Sequence, residues 1–239
     1  MPFTYPFPRP SVTVDVVLFA MRAGDLAVLL VRRKHDPFAG SWALPGGFVD
    51  ENEALEAAAL RELEEETGVK DVELEQLGAF GQPGRDPRGH TVSVAYLAFV
   101  VAEAHPVAAA DDAADAAWHS MRSLAGRGRR AVKLAFDHGE IIALARERLR
   151  HILRDPLSHK VPRALLPGRF TLGELHRVYE AVQGGALTER EFRAYVRQHQ
   201  LVEPVPAASA KRAKRAGARS GGHRDAHLYR WRRSRRRAG

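Results

Sequence analysis

A spacing of residues between Gly47 and Val69 constrains this chain more than anything else in it. Glu53 follows Gly47 by six positions and Arg61-Glu62 begins eight positions later; Glu65, Glu66, Gly68 and the apolar Val69 complete the set. The stretch from Glu53 to Thr67 is rich in Ala, Leu and Glu, which predicts a helix with Asn52 as N-cap and Gly68 as its stop. On that helix Glu62, Glu65 and Glu66 stand at i, i+3 and i+4 and share an arc of about 100°. Like charges so placed cost a helix roughly 0.2–0.5 kcal/mol per pair. A hard divalent cation, Mg²⁺ or Mn²⁺, offsets that cost, because such ions take oxygen ligands and bind substrate phosphates as well. Arg61 can reach Glu65 one turn on, or Glu53, and hold the carboxylates in place. A solvated acidic face accounts for the three glutamates alone, but not for the whole spacing.

The flanking sequence predicts how this helix is carried. Residues 11–20 and 26–33 are rich in β-branched residues and are separated by Arg22-Ala23-Gly24-Asp25, a hairpin signal. A loop through 35–40 and a short apolar piece, Trp42 to Leu44, lead into Pro45-Gly46-Gly47. Beyond the helix, strands are expected at Val72 to Leu77 and Val92 to Val101, with a loop from Gly81 to Gly89 between them. A closing amphipathic helix is expected over Ile141 to Leu153. Strands, a helix after Gly-Gly and a second helix describe an α/β (α+β) sandwich.

The pattern changes after Asp155-Pro156. Thr171 to Glu174 and Thr188 to Glu191 are capping boxes that open two short helices, with Gly184-Gly185 between them. Leu201-Val202 follows, then a low-complexity basic stretch, then a strand-like Leu228-Tyr229-Arg230-Trp231. Helix, turn, helix, strand, basic loop and strand is the order of a winged helix-turn-helix domain. The expected division is 1–155 and 160–235, with a basic insertion at 203–226.

Charge follows the same division. The chain has a net charge of +8, yet residues 203–239 hold 12 Lys/Arg against two acids, and the first 202 residues are slightly acidic. So localised a charge is either an electrostatic footprint for nucleic acid or a solubilising tail. Absence of cysteine excludes disulfides, thiolate metal sites and cysteine nucleophiles. The start MPFTYPFPRP lacks the basic and apolar regions of a signal peptide, and apolar runs such as Val14 to Met21 are too short to span a membrane. A cytoplasmic protein with no membrane partner is the expectation.

At every defined position Gly47 to Val69 resembles the Nudix box, Gly-x5-Glu-x7-Arg-Glu-U-x-Glu-Glu-x-Gly-U with U apolar. The resemblance implies the family's α/β/α fold and hydrolysis of a nucleoside diphosphate linked to another group. It implies Glu62, Glu65 and Glu66 as metal ligands, Glu53 and Arg61 as supporting residues, and the Gly46 carbonyl as a further ligand. A distant acid contributes in some members; Asp111, Asp112 and Asp115 are the local candidates, or form an ordinary solvent-facing loop.

A wider set of segments, RPSVTVDVVLF, SWALPGGFVD, GRDPRG, LAFDHGEII and FTLGELHRVYEAV to LYRW, is similar to the NrtR family of Nudix-related regulators of NAD metabolism. That resemblance implies a Nudix domain that senses ADP-ribose and a winged helix that binds double-stranded operator DNA as a homodimer. Arg85, Asp86 and Arg88 then offer phosphate or ribose contacts, or a plain polar loop. Arg32 and Arg33 close a strand leading to the turn, with Arg32 the candidate contact. Trp42 either stacks on a base or packs beside the Gly-Gly turn. Arg190, Arg193 and Arg197 share one helix side, as base readers or as a solvated face. Lys211, Arg212, Lys214 and Arg215 are placed for phosphates from a wing. The intact box keeps a second reading open: a Mg²⁺-dependent ADP-ribose pyrophosphatase with an accessory C-terminal domain.

Overall fold

The computed structural model describes residues 5–102, 104–105, 116–126, 132–154, 160–185, 188–206 and 227–232. The chain divides into two units, Met1–Arg148 and Leu149–Gly239. The division falls inside a helix rather than at residue 155, because the last turns of that helix make contacts of the second unit; Arg150 Nε, for example, donates to the Val182 carbonyl.

The first unit is built on strand β1 (Ser11–Arg22), buried without interruption from Thr13 to Ala20. A strand buried on both faces reads as a continuous apolar run, which is why Val16 to Ala20 are all apolar. β1 turns back into β2 (Asp25–Arg32) through Ala23 and Gly24, both at positive φ, with Arg22 opposite Asp25. One edge of β1 is shared in succession. Its C-terminal half pairs with β2, while Thr13, Val14 and Asp15 pair with β4 (Gly46–Phe48). The other edge runs parallel to β6 (Thr91–Val100), which pairs with β5 (Glu75–Phe80). β2 also carries β3 (Trp42–Ala43) and β7 (Ala116–Ser120).

Helix α1 (Leu55–Thr67) covers one sheet face. Ala58, Ala59 and Leu63 pack with Val14, Val16, Leu18 and Tyr96. The short α2 (Met121–Leu124) follows β7. Helix α3 (His138–Arg154) begins on the opposite face, where His138 approaches Asp15, the neighbour of Val14 that points the other way. The result is an α/β/α sandwich. Two expectations need correction. Asn52 is not the N-cap of α1; it sits at φ 65°, and the cap is Ala54, because Glu53 lies outside the helix with its carboxylate turned back to the Asp50 N–H. The strand expected at Val72 begins only at Glu75, since Val72 and Leu74 pack against the α1 cluster instead.

The second unit holds α4 (Lys160–Leu165), β8 (Phe170–Thr171), α5 (Leu172–Gln183), α6 (Glu189–Gln198), β9 (Val202–Pro204) and β10 (Leu228–Trp231). Both capping boxes form. Thr171 and Thr188 accept from the backbone of Glu174 and Glu191, whose carboxylates answer the threonine N–H groups. Gly184, left-handed at φ 73°, stops α5. Leu175, Val178 and Val182 of α5 and Phe192 and Val196 of α6 are buried. The three strands form one sheet in the order β8-β10-β9, which is the winged-helix arrangement. Within the described residues no helix is long and apolar enough to cross a membrane.

Candidate functional site

The Gly46-Gly47 turn lies between β1 and α1; backbone crowding requires glycine at Gly46, and the lack of a side chain at Gly47 leaves room for a carboxylate. A Cβ on Gly46, whose φ is +155°, would collide with the Val14 carbonyl and come within 3.0 Å of Asp15 Cα. A Cβ on Gly47 would lie 2.5 Å from Glu62 Cδ and 2.7 Å from Oε2. Gly47 is therefore the space into which the Glu62 carboxylate fits. Glu66, one turn on, accepts a hydrogen bond from the Gly46 N–H at 3.0 Å. The turn and the helix hold each other through the two glutamates.

Arg61 organises the rest. Its Nε and Nη2 donate to the two oxygens of Glu53 at 2.8 and 2.9 Å, and Nη2 also donates to the Phe48 carbonyl. Its Nη1 donates to Glu62 at 2.8 Å and to Glu65 at 3.3 Å. The hydrogen bond from Arg61, and then that from the Asp50 N–H, holds the Glu53 carboxyl down to about 2. Glu66 moves the other way. Burial, with the negative charges of Glu62 and Asp15, pushes it up to about 7 against the opposing Gly46 hydrogen bond.

The donor set suits a hard divalent cation: carboxylate oxygens, an excess of negative charge around Glu66, and a backbone turn carrying the Gly46 carbonyl. Arg61 supplies the counter-charge as the side chains stand. Among the described residues no three His, Asp or Glu side chains converge as a metal-holding group.

Of these groups Gly46, Gly47, Phe48, Glu65 and Glu66 line a cleft of about 500 Å³. Opposite them stand cations. Arg33 lies over the Phe136 ring at 4.8 Å; burial, and then the charge of Arg88, lower its pKa. Arg88 lies over both Phe48 and Phe136, at 5.2 and 5.7 Å. A site that crowds two guanidiniums opposite carboxylates and lines the space with phenyl rings suits a ligand carrying phosphate and flat, apolar groups.

The other expected contacts are distributed unevenly. Arg32 lines the cleft at its exposed rim, where its Nε donates to the Gly40 carbonyl. Arg85 is only 5% exposed and is clamped to Asp137 by two hydrogen bonds of 2.8 and 2.5 Å. Both oxygens of Asp86 are taken by Arg88. Arg88 is thus the cation of this loop that is open to ligand, with 44% of its side chain exposed. Trp42 does not line the cleft; it stands edge-on to His119 at 4.3 Å. Asp111, Asp112 and Asp115 lie outside the described residues.

Sequence reasoning missed the floor of the cleft. Asp15 is 6% exposed, accepts from the Ser93 hydroxyl, and lies 3.9 Å from Arg85 and 3.5 Å from His138 Nε2. His138 Nδ1 accepts the Leu44 N–H at 2.8 Å, which places the ring proton on Nε2, toward Asp15. Burial lowers the His138 pKa and keeps the ring neutral. A lone aspartate inside the apolar run of β1 was the available signal.

In the second unit Arg190, Arg193 and Arg197 line one exposed surface depression of α6 together with Glu189. Lys211, Arg212, Lys214 and Arg215 fall outside the described residues, between β9 and β10.

The chain matches the NUDIX domain over residues 9–145 and the NrtR DNA-binding winged helix domain over residues 162–231. It is 34% identical over 229 residues to the ADPR responsive transcriptional repressor NtrR of Acinetobacter baylyi, covering 94% of this chain and 83% of that protein. It is 40% identical over 134 residues to an ADP-ribose pyrophosphatase of Methanocaldococcus jannaschii, covering 56% of this chain and 72% of that one. Shewanella oneidensis NrtR complexed with a 27mer DNA superposes with a TM-score of 0.70 at 34% identity, over 92% of this chain and 93% of that chain. The NUDIX domain of the same Shewanella protein, complexed with ADP ribose, gives 0.55 at 39% identity over 61% and 94%.

Proposed function

The chain belongs to the Nudix family and carries the NrtR-type DNA-binding winged helix, and on that premise we propose an ADP-ribose-responsive transcriptional repressor acting in NAD and ADP-ribose metabolism. The observation that carries this reading is the pairing, in one chain, of a diphosphate-sized cleft with a winged helix whose α6 exposes three arginines. Arg88 and Arg33 are the cations for the diphosphate, and Phe48 and Phe136 are the flat surfaces for its organic ends. Arg32 adds charge at the rim. On DNA, α6 enters the major groove, and the basic stretch with Lys211, Arg212, Lys214 and Arg215 grips phosphates. Two copies of the winged helix matching a two-fold operator make the working form a homodimer. A repressor of this kind acts in the cytoplasm.

For ligand to change DNA occupancy it must prefer one of two states, and tenfold release needs about 1.4 kcal/mol of differential binding. The test is a gel shift of the full chain on duplex from upstream of its own gene, titrated with ADP-ribose. Arg88→Ala is expected to shift the ADP-ribose dependence to higher concentration while leaving ligand-free DNA binding intact. DNA binding that persists after removal of residues 160–239 refutes the regulator reading.

A second reading has its own support. All three box glutamates are present, and the Glu53–Arg61–Glu62 framework that holds them is formed. Glu62, Glu65, Glu66 and the Gly46 carbonyl are the groups to hold Mg²⁺ or Mn²⁺. Such an ion, when bound, polarises a diphosphate and lowers the pKa of a coordinated water. The protein's own part is to keep the carboxylates aligned through Arg61 and to place the diphosphate with Arg88. A working ADP-ribose pyrophosphatase releases product with Mg²⁺ or Mn²⁺, and Glu65→Gln and Glu66→Gln abolish that release. Turnover that survives both changes removes the hydrolase reading.

A further inference from the structure

Four side chains meet on the exposed side of α6: Arg190, Arg193, Arg197 and one carboxylate, Glu189. The acid is out of place for a surface that meets phosphates, since each negative charge there weakens binding. The capping box does not use it: the Glu191 N–H donates to the Thr188 hydroxyl oxygen, and the Glu191 carboxylate accepts from both the N–H and the hydroxyl of Thr188. An acid in the first turn suits the helix dipole, a role that Glu191 also fills. Glu189 pairs with Arg193, whose Nη2 donates to its Oε1 at 2.6 Å. Both side chains stay open to solvent, 70% for Glu189 and 55% for Arg193, so the pair remains free to meet a third group. Glu189 also opens α6, and in helix-turn-helix docking the first residues of the recognition helix face base edges.

Resting on the DNA-binding reading above, we propose that Glu189 is a specificity-determining residue that reads a cytosine directly. In the major groove cytosine presents an amino donor, N4, which a carboxylate accepts, and guanine presents O6 and N7, which an arginine fork takes. Glu189 and Arg193, already joined through one nitrogen, offer both elements side by side. The carboxylate accepts from cytosine N4 with its open oxygen. It also holds the guanidinium so that its remaining N–H groups point to a neighbouring guanine. Its repulsion of phosphates is uniform along any duplex, whereas its acceptance from cytosine is not. Glu189 therefore lowers affinity for DNA in general while raising preference for one sequence.

The experiment is selection from a randomised duplex library by the full chain, as wild type, Glu189→Gln and Glu189→Ala. Titrations of a selected duplex and of a shuffled duplex follow. Wild type is expected to enrich a cytosine at a fixed place. Both variants lose that enrichment, with the selected-to-shuffled ratio falling by about 10-fold or more. Binding to the shuffled duplex stays level or tightens. Identical enriched sequences in all three proteins, with the variants binding every duplex uniformly tighter, would overturn the proposal and leave DNA binding standing. Failure of the wild type to enrich anything would remove both. Because Glu189 is exposed, unfolding of the variants is not at issue, and equal thermal midpoints confirm it.

Discussion

Replacing Gly47 by alanine tests whether the glutamate arrangement depends on the glycine facing it. Gly47 has no φ in the left-handed region, so a methyl group costs nothing in the backbone itself. The conflict is with the Glu62 carboxylate, 2.5 Å at Cδ and 2.7 Å at Oε2, where ordinary contact begins at 3.4 Å. The carboxylate, the far end of a flexible side chain, must therefore retreat by about 0.9 Å, and a retreat directly away from Arg61 Nη1 takes that 2.8 Å bond beyond hydrogen-bonding range. Losing one charge-assisted bond in a partly exposed setting costs about 1–2 kcal/mol. For a domain of this size that lowers Tm by roughly 2–8 °C. The functional loss is larger in proportion. Under the metal-holding role proposed for Glu62, displacing its carboxylate is expected to weaken cation binding about 10–100-fold. Calorimetric titration with Mn²⁺ reads the affinity, and a thermal melt reads the fold. A folded Gly47→Ala protein that takes up Mn²⁺ as tightly as wild type would refute the reasoning, since Glu62 would then be dispensable where it stands.

Three further outcomes follow from the same geometry. Asp137→Asn strips a nearly buried Arg85 of its bidentate partner, leaving Asp15 at 3.9 Å as a poor substitute; urea unfolding should show a loss of about 3 kcal/mol, and an unchanged midpoint would mean the clamp contributes nothing. Glu66, raised from 4.5 to about 7 in the fold, binds its proton more tightly there than in the unfolded chain. Without divalent cations the protein should therefore lose stability as pH rises from about 4.5 through 7, and Glu66→Gln should flatten that slope in melts across the range. Arg197→Ala, as loss of a base reader, should lower the ratio of selected-duplex to shuffled-duplex affinity by about 10-fold, measured by anisotropy at fixed salt; an unaltered ratio leaves Arg197 on a solvated face.

Much of this protein is legible in its sequence, for reasons of local chemistry. The α1 glutamates follow from helical periodicity, since residues at i, i+3 and i+4 share a side wherever the helix lies. The capping boxes at Thr171 and Thr188 formed because each needs only four consecutive residues. Gly46 and Gly47 were visible as a break in regular structure, though not what each one avoids. The first turn of α1 was misread, because Asn52 suits a cap in isolation while Glu53 is drawn away by Arg61.

Tertiary structure decided which charged groups stand open in the cleft. Arg85 and Arg88 are three residues apart in one loop and chemically alike, yet the first is buried against Asp137 and the second lies open over two phenyl rings. Nothing local distinguishes them, because the difference comes from Asp137 and Phe136, about fifty residues away. Asp15 and His138 joined the site in the same way, carried by β1 and α3 from distant parts of the chain to one floor. Periodicity and capping depend on neighbours a few bonds apart and can be read in order. The partner of a buried charge is set by whichever distant group the packing brings within about 4 Å, and only the folded chain determines that.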